Sequence, residues 1–573
     1  MKKPKKIGVY ICHCGGNISD YVDVEKVRQS VEGEDIVFIA KTTMFACSDA
    51  NQREMVEDIK ANELDGVIVA SCSPKLHQLT FRNVSIRADL NKYTYVHANI
   101  REQASWAHSD NKIGATEKAI HLVQAAVAKA RYAEALETNK IKAKKAVAVI
   151  GAGIAGMKAA ISLAEKDTQV FLIEKEAFVG GHVAQWGALY QTLETGKQMM
   201  DRLYAELIKH ENISLMTNSE VIENKGSVGN IVLKVNTHAN NTDTLTELNV
   251  GTVLMATGFD YYTPEAGEFG YATTDKVITL PEFKKMIDTQ SGKLMHNAKV
   301  VKNVAYIYCV GSRQTEGENT YCSRNCCTST IHAAVTAKNK FADINNYHFT
   351  RGLRTYGKQE ILYADSLRGG DIYLQSYEDS LPTVNTEGNK TIVKINDILT
   401  NGREIEVEAD LVVLVNGMVP RSDNNAIASL FKLPKGRDKF FNEVHMKLRP
   451  VETVIDGITI AGTCQGPKNI PETVNSALSA ATKCYSIISK GELETDPLVA
   501  TIDPDSCEWC GECEKACPFD AILKVEHGKK TIAQINNSVC KGCGMCAPVC
   551  EPDAVNLIAC SSKEIMSMID ALA

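Results

Sequence analysis

Eight cysteines near the C-terminus have a spacing that is typical of iron–sulfur proteins. The pattern C-x2-C-x2-C-x3-C occurs twice, at Cys507, Cys510, Cys513 and Cys517 and again at Cys540, Cys543, Cys546 and Cys550. In such pairs of runs, three thiolates hold one 4Fe-4S cluster and the fourth crosses to the other cluster. The spacing predicts one cluster on Cys507, Cys510, Cys513 and Cys550, and a second on Cys540, Cys543, Cys546 and Cys517. The alternatives are a zinc site or structural cysteines.

A glycine-rich turn in the middle of the chain predicts a dinucleotide site. The strand-like run Val147–Ile150 leads into Gly151-Ala-Gly-Ile-Ala-Gly156 and a helix to about Glu165, and the next strand ends at Glu174. The glycines let the backbone approach a pyrophosphate at the helix N-terminus, and the acid binds ribose hydroxyls. The predicted contacts are Gly151, Ala152, Gly153, Ile154, Ala155, Gly156, Glu174 and Lys175.

Further segments favour FAD over NAD as the dinucleotide. Gly180-Gly181-His182 follows the second strand, where flavoproteins carry another glycine pair, and a later strand ends at Thr257-Gly258. The strand before Gly462-Thr463 resembles the one that closes the flavin site in flavoproteins with two dinucleotide domains, although those proteins have Gly-Asp there. We therefore predict that these residues contact FAD.

A second dinucleotide fingerprint is missing where thioredoxin-reductase-like flavoproteins bind NADPH. The corresponding strand, Asn303–Tyr308, is followed by Cys309-Val-Gly rather than by GxGxxG. Four cysteines, the number that a 4Fe-4S cluster needs, occur at Cys309, Cys322, Cys326 and Cys327. We predict no NAD(P)H use here and a non-standard cluster instead, with redox-active or buried thiols as the alternative. Arg324 is expected to bring a positive charge near this cluster.

The first 140 residues alternate between strand-like and helix-like patterns, which predicts a small parallel α/β sheet. The predicted strands are Ile7–Ile11, Ile36–Ala40, Gly66–Ala70 and Tyr93–His97, and a long helix is predicted from Thr116 to about Glu137.

Four more cysteines, Cys12, Cys14, Cys47 and Cys72, follow the first three of these strands. Because ligand sites in parallel sheets lie at the carboxyl ends of the strands, the four thiols should gather on one rim. A fourth cluster is predicted there, with structural or redox-active thiols as the alternative. The nearby His13, His77, His97 and His108 are expected to be capped or core residues, and Cys464, Cys484 and Cys560 to be packing thiols.

These patterns predict an α/β multidomain protein. The expected divisions are an N-terminal α/β domain at 1–143, a thioredoxin-reductase-like FAD domain at 144–495 and a ferredoxin-like domain at 496–573. A degenerate nicotinamide-type subdomain is expected at about 295–400.

A net charge of −7 argues against nucleic acid as a partner. No stretch approaches the roughly 20 apolar residues of a membrane span. Nineteen cysteines without a secretory signal indicate a reducing cytoplasm.

The chain resembles the flavin and iron–sulfur subunit of heterodisulfide reductase, which is found in methanogen complexes and has relatives in anaerobic bacteria. The resemblance covers nearly the whole chain and is carried by Ile11–Gly16, Phe45–Ser48, Ala70–Pro74, His97–Gln103, Cys309–Arg313, Tyr321–Cys327, Arg354–Lys358 and Ala461–Pro467. It implies FAD, a non-standard cluster on the double-cysteine segment (residues 322–327) and a cluster in the N-terminal domain. It also implies that electron pairs are split at the flavin, with one electron sent to a disulfide-reducing partner and one to ferredoxin.

Two departures from the family limit what the resemblance implies. Methanogen members carry an inserted ferredoxin-like module inside the flavin domain, whereas no cysteine lies between Gly181 and Gly251 here. The family also has a lysine near the flavin shortly after the double cysteine, where ungapped counting places His332.

The predicted function is an FAD and iron–sulfur electron-transfer subunit with four 4Fe-4S clusters, which splits or merges electron pairs at the flavin. The alternative is a non-bifurcating conduit between a dehydrogenase, quinone module or other reductase and a carrier. The expected partners are the other subunits of a heterodisulfide-reductase-type complex and a hydrogenase, dehydrogenase or ferredoxin. A homodimer is a further expectation.

Overall fold

The chain divides into two compact units in a computed structural model that describes residues 5–190, 192, 194–239, 242–341, 343–387 and 390–572. One unit is formed by Met1–Lys140 with Glu494–Ala573, and the other by Ile141–Leu493. Among the residues described, no helix is both long enough and apolar enough to cross a membrane.

The first unit begins with a four-stranded parallel sheet, which confirms the predicted fold class of this segment. In pairing order its strands are Val37–Thr43, Ile7–Cys12, Gly66–Ser71 and Tyr95–Asn99. The helices between and after them are Val24–Gln29, Asp49–Asn62, Pro74–Arg87 and Lys112–Tyr132. The two central strands are buried along their whole length, as expected for a parallel sheet covered by helices.

The long helix after this sheet differs from its predicted bounds. It begins at Lys112 because the Asn111 side chain accepts a hydrogen bond from the Gly114 amide and caps the first turn. It ends at Tyr132 because Ala133 leaves the helical region, with φ −59° and ψ 128°.

The C-terminal part of the first unit carries the eight cysteines between short elements. Its strands are Ala500–Ile502, Ile522–His527, Lys530–Ile535 and Val555–Leu557, and its helices are Glu512–Ala516 and Ser562–Asp570. The last helix packs on Lys112–Tyr132: the Ser567 hydroxyl donates to the Ala128 carbonyl over 3.4 Å, and the Lys563 ammonium lies 4.5 Å from the centre of the Tyr132 ring. The N-terminal sheet and the cysteine-rich segment therefore share one compact unit, although the sequence assigns them to separate domains.

The second unit contains two five-stranded parallel sheets, and a three-stranded antiparallel sheet is inserted in the chain between strands of each. The first parallel sheet has the order Ile458–Ile460, Thr252–Met255, Ala146–Ile150, Gln169–Ile173 and Ile213–Met216. Its helices are Ile154–Ala164, Gly196–Leu207 and Ile470–Ile488, and its antiparallel strands are Ser219–Ser227, Asn230–Ala239 and Thr242–Val250. This is the doubly wound arrangement in which ligands bind at the carboxyl ends of the strands.

The second parallel sheet has the same plan. Its strands pair in the order Val277–Thr279, Leu411–Asn416, Asn303–Val310, Asn345–Thr350 and Ile372–Gln375. Its helices are Leu280–Thr289, Cys326–Lys340 and Glu360–Arg368, and its antiparallel strands are Thr383–Glu387, Lys390–Asp397 and Arg403–Ala409. The short helix Asn424–Phe431 returns the chain to the first sheet. The sheet thus spans more of the chain than the predicted nicotinamide-type subdomain at about 295–400.

Candidate flavin and iron–sulfur sites

A cavity of about 850 Å³ lies at the carboxyl edge of the first parallel sheet in the second unit. It is within the usual size range of cofactor pockets. Twelve of the fifteen residues predicted to contact FAD line it: Gly151, Gly153, Ile154, Ala155, Glu174, Lys175, Gly180, Gly181, His182, Thr257, Gly258 and Thr463. The other three, Ala152, Gly156 and Gly462, are not among its lining residues.

The three glycines of the turn are needed for different structural reasons. A Cβ on Gly151 would lie 2.4 Å from the Ala256 carbonyl oxygen, and one on Gly156 would lie 1.8 Å from the Gly151 carbonyl oxygen. Both positions need glycine so that the backbone can pack. A Cβ on Gly153 would meet no atom within 4 Å, although this residue lines the cavity. Gly153 therefore keeps space free at the start of the helix Ile154–Ala164, where a pyrophosphate fits.

Glu174 ties the glycine turn to the second strand. One carboxylate oxygen accepts a hydrogen bond from the Ala152 amide over 2.6 Å, and the other accepts one from the Glu176 amide over 2.9 Å. A carboxylate has further lone pairs for ribose hydroxyls. The adjacent Lys175 pairs with Asp423 over 2.8 Å. The positive charge of Lys175 is therefore balanced by an acid at the end of the cavity where the nucleoside of FAD is expected.

Aromatic, cationic and other apolar side chains that the motifs did not identify line the rest of the cavity. They include Trp186, Phe259, Met418, Arg421 and Lys468. His182 lies against the Phe259 ring, 4.6 Å between centroids, and its Nε2 is 2.9 Å from the Phe259 carbonyl oxygen. These residues come from segments far apart in sequence, so only the sheet order brings them together.

The eight C-terminal cysteines form two groups of four in the first unit. Burial raises the pKa of Cys513, and the thiols of Cys507, Cys510 and Cys550 lie close enough to raise it further. The thiols of Cys540, Cys543 and Cys517 have the same effect on the pKa of Cys546. Each group therefore combines three cysteines of one run with the fourth of the other, as the predicted crossing requires, and the assignment of these thiols as cluster ligands stays a prediction. The pKa of Cys546 is raised to about 11 by burial and by its neighbouring thiols.

Backbone amides point at several of these sulfur atoms. Ala533 N–H donates to Cys507, Ala521 N–H to Cys517 and Ala500 N–H to Cys540, at 3.3–3.5 Å. Hydrogen bonds to cluster thiolates are one of the means by which proteins set a cluster potential. A tetrahedral zinc site would bring its thiolate sulfur atoms to within about 2.3 Å of one ion. In the part of the chain that the structure describes, no three His, Cys, Asp or Glu side chains converge on a single ion.

The four cysteines of the second unit also come together. Cys309 is the penultimate residue of the strand Asn303–Val310 and has a left-handed φ of 62°, and Cys326 and Cys327 begin the helix Cys326–Lys340. The thiols of Cys327, Cys309 and Cys322 lie close enough to Cys326 to raise its pKa. Burial, with the Cys327 thiol, raises the pKa of Cys309 to about 11. The number of thiols and their proximity fit a 4Fe-4S cluster.

Two buried serines hold this site together. The Ser312 hydroxyl accepts a hydrogen bond from the Ser323 amide over 3.1 Å and lies 3.2 Å from the Ser323 hydroxyl. The Ser323 hydroxyl in turn accepts a hydrogen bond from the Met418 amide over 2.9 Å. The double-cysteine segment is therefore fixed against both the Cys309 turn and the residue that lines the cavity.

The positive charge at this site comes from arginines other than Arg324. The guanidinium of Arg324 pairs with Glu472 and lies 5.8 Å from the centre of the Tyr356 ring. The pKa of Cys327 is lowered to about 7, mainly because the Cys326 thiol donates a hydrogen bond to it. The nearby positive charges of Arg313 and Arg354 lower it further because they favour the thiolate. The Arg324 amide donates to the Cys322 sulfur over 3.3 Å, so Arg324 lies beside the cysteines, but a glutamate from a helix distant in sequence pairs with its guanidinium.

The four N-terminal cysteines gather at the carboxyl edge of the first sheet. The Cys12 sulfur accepts hydrogen bonds from the Cys14 amide over 3.3 Å and the Ala46 amide over 3.4 Å. Arg101 lies 3.7 Å from the Cys14 sulfur. Burial raises the pKa of Cys72 to about 11, with the Cys14 and Cys47 thiols adding to the effect. The arrangement provides four thiols, amide donors and one cation on a single rim.

The other histidines and cysteines occupy varied places. His97 bonds the Cys72 carbonyl, His77 lies 3.4 Å from the Thr80 hydroxyl and His108 lies 3.1 Å from the Lys118 ammonium. Cys464 and Cys484 are fully buried, as expected for packing thiols. Cys560 is exposed instead.

His332 lies next to a lysine from another helix. Burial and the nearby Lys284 charge lower the pKa of His332 to about 4, so it is neutral near pH 7. The Lys284 ammonium lies 3.3 Å from the Ser329 hydroxyl and 5.1 Å from the centre of the Trp186 ring. The cation in this region is therefore supplied by the helix Leu280–Thr289.

Gly153→Ala tests whether the cavity holds FAD. The backbone at Gly153, with φ −74°, accepts alanine, but the new methyl group would occupy the free space beside the glycine turn. We expect retention of FAD to fall at least about tenfold without loss of fold, measured as flavin per chain and by circular dichroism. Gly33→Ala is the control, since a Cβ there also meets nothing within 4 Å and lies outside the cavity. Full FAD retention by Gly153→Ala would place the cofactor elsewhere.

Comparisons with known proteins agree with this division of sites. The family described as pyridine nucleotide-disulphide oxidoreductase matches residues 145–301, and the 4Fe-4S dicluster domain family matches residues 500–551. Among solved structures, a Thermoplasma acidophilum thioredoxin reductase covers 60% of this chain and 99% of its own, at 17% identity and a TM-score of 0.42. That score is too low to add to the assignment.

Curated relatives match over nearly the whole length. An iron–sulfur subunit of the CoB–CoM heterodisulfide reductase of Methanopyrus kandleri is 34% identical over 92% of this chain and 92% of its own. The corresponding subunit of the "H(2):CoB-CoM heterodisulfide,ferredoxin reductase" of Methanothermobacter marburgensis is 34% identical over 93% and 92%. The latter alignment spans 620 positions, more than the 573 residues here, so that relative has residues without a counterpart in this chain. The chain belongs to this family of heterodisulfide reductase iron–sulfur subunits and is an electron-transfer oxidoreductase subunit with FAD and 4Fe-4S clusters.

Proposed function

We propose that this subunit splits or merges electron pairs at its flavin and passes single electrons through four 4Fe-4S clusters. A flavin exchanges electrons in pairs or singly, whereas an iron–sulfur cluster carries one at a time. The proposal assigns FAD to the cavity of the second unit. It assigns clusters to the two C-terminal groups of cysteines, to Cys309, Cys322, Cys326 and Cys327, and to Cys12, Cys14, Cys47 and Cys72.

The observation that carries the proposal is the thin wall between the cavity and the double-cysteine segment. Met418 lines the cavity, and its amide donates to the hydroxyl of Ser323, the residue next to Cys322. The Tyr321 hydroxyl donates to the Met418 carbonyl over 3.0 Å. One residue thus separates the cavity from the segment that would hold a cluster, and electron transfer is fast only over short distances.

The first turn of the helix Ile470–Ile488 forms a second connection between the same two places. Ile470 and Thr473 line the cavity. Glu472, between them, pairs with Arg324 of the double-cysteine segment and accepts a hydrogen bond from the Tyr356 hydroxyl over 3.0 Å. One helical turn thus lines the cavity and contacts the double-cysteine segment, which favours a fixed separation between flavin and cluster.

The C-terminal cluster pair suits exchange with a partner protein. Cys510 of one group and Cys543 of the other are exposed, so each cluster would lie close to the surface of this unit. We propose the other subunits of a heterodisulfide-reductase-type complex as partners, with a hydrogenase, dehydrogenase or ferredoxin as electron donor or acceptor. The name of the Methanothermobacter marburgensis relative includes hydrogen, a heterodisulfide and ferredoxin, which supports these classes. A homodimer is also proposed.

A non-bifurcating conduit is the second candidate. It is favoured by the residues that the Methanothermobacter marburgensis relative has in excess of this chain, together with the absence of cysteine between Gly181 and Gly251. Loss of an inserted ferredoxin-like module would remove one branch for single electrons. Electrons would then pass from a dehydrogenase, quinone module or other reductase to one carrier.

Iron content tests the number of clusters. Four 4Fe-4S clusters require about 16 irons per chain, and we expect that number with one FAD after anaerobic reconstitution. Cys327→Ala removes one ligand and should lower the count to about 12. Cys560→Ala, which changes an exposed thiol outside the four groups, should leave it unchanged. A count of eight in the unaltered chain would contradict both sites outside the C-terminal segment.

Measuring how many electrons each acceptor receives distinguishes the two candidate functions. The subunit would be isolated with its partner subunits and supplied with its electron-pair donor, a ferredoxin and a heterodisulfide. If pairs are split, two donor pairs reduce two ferredoxins and one disulfide, the latter with uptake of two protons, and omitting either acceptor stops reduction of the other. Reduction of one acceptor at an undiminished rate when the other is absent would support the conduit and contradict pair splitting.

A further inference from the structure

Three fixed cations line the flavin cavity, and two of them are paired with an acid. Lys175 pairs with Asp423 over 2.8 Å, and Arg421 pairs with Asp423 over 3.2 Å and with Asp260 over 3.9 Å. The third, Lys468, donates to the Gln465 side-chain carbonyl over 3.1 Å. Within the described part of the chain, no carboxylate forms an ion pair with Lys468. Glu443 and Glu472 act on Lys468 only from beyond ion-pair distance, so its positive charge is less compensated than the charges of Lys175 and Arg421.

The sheet order places Lys468 on the opposite side of the glycine turn from Glu174. The turn follows the central strand Ala146–Ile150, and Glu174 follows the neighbouring strand on one side. Lys468 follows the edge strand Ile458–Ile460, two strands away on the other side, with strands about 4.8 Å apart. A dinucleotide with its pyrophosphate at the turn and its ribose at Glu174 extends its other half towards Lys468.

The helix next to Lys468 adds to its electrostatic effect. Asn469 caps the helix Ile470–Ile488, and Ile470 and Thr473 of its first turn line the cavity. A helix N-terminus carries roughly half a positive charge. The lysine and the helix end therefore act in the same direction at one end of the cavity, opposite the end where Lys175 and Arg421 are neutralised.

We propose that Lys468 is the counter-charge for the flavin ring and raises the midpoint potential of bound FAD. The ring carries one more negative charge after two-electron reduction with uptake of one proton, and the Lys468 ammonium stabilises that charge. This inference rests on the proposed FAD site.

The surroundings of Lys468 make such an effect strong. Burial lowers the pKa of Lys468, although the nearby Cys464, Glu443 and Glu472 oppose this effect, and charges interact more strongly where water is excluded. The side chain is also oriented: Gln465, which accepts its hydrogen bond, donates in turn to Glu443 over 2.8 Å and to the Pro450 carbonyl over 2.6 Å. A held ammonium contributes more than a mobile one, because no conformational freedom is lost when the ring becomes charged.

The test compares Lys468→Met with Lys468→Arg and with Lys483→Met in the full chain. Lys483 lies on the same helix but pairs with Glu452 over 2.9 Å, away from the cavity. The two-electron midpoint potential of bound FAD is measured against reference dyes during anaerobic reduction. We expect Lys468→Met to weaken binding of reduced relative to oxidised FAD about tenfold, which lowers the midpoint potential by about 30 mV. Lys468→Arg and Lys483→Met should stay within about twofold of the unaltered chain.

An unchanged potential in Lys468→Met, with FAD bound, would overturn the inference. If that variant does not fold, Lys468→Gln keeps a polar side chain without the charge and should show the same loss. Failure of the unaltered chain to bind FAD would instead contradict the proposed flavin site, so the two failures are distinguishable.

Discussion

The hydrogen bond from the Met418 amide to the Ser323 hydroxyl fixes the distance between the flavin cavity and the double-cysteine segment. It is buried and links a backbone group of the cavity wall to a side chain beside Cys322. Breaking such a bond leaves a buried donor without a partner, which costs about 1–3 kcal/mol. The serine also bonds Ser312, so the same contact holds the Cys309 turn. The proposed path for electrons depends on this small hydrogen-bonded cluster.

Each parallel sheet presents its candidate ligands at its carboxyl edge. Cys12 and Cys72 follow strands of the first sheet, the glycine turn follows a strand of the second, and Cys309 lies near the end of a strand of the third. In a parallel sheet this edge collects the loops that follow neighbouring strands. The second unit repeats one plan twice, but the second copy has thiols where the first has a glycine turn. The proposed cluster at this position would therefore need no new fold.

The parts of these sites that could be predicted are those fixed by local spacing. The C-x2-C-x2-C-x3-C runs and the turn at Gly151 determine their chemistry within about a dozen residues, and the edge rule groups Cys12, Cys14, Cys47 and Cys72. The sheet order is not encoded locally, so no motif identifies Trp186, Met418 and Lys468 as cavity residues.

Long-range ion pairs are equally beyond sequence inference. Arg324 lies between two candidate ligands, yet its guanidinium pairs with Glu472, from a helix that begins almost 150 residues later.

Two local features also differ from expectation. Cys560 is expected to be a buried packing thiol, but it lies at the surface. The early end of the long helix at Tyr132 depends on the backbone of Ala133, for which no proline or glycine gives a signal.

The central claim is that electron pairs are divided at the flavin, and its two one-electron potentials test this most directly. They would be measured by anaerobic titration of the reconstituted subunit, followed by absorbance and electron paramagnetic resonance. Pair splitting requires the second electron to enter at a much higher potential than the first, so that removing one electron leaves a strong reductant. The account predicts such crossed potentials. Potentials in the opposite order, with the one-electron state stable over a wide range, would contradict it.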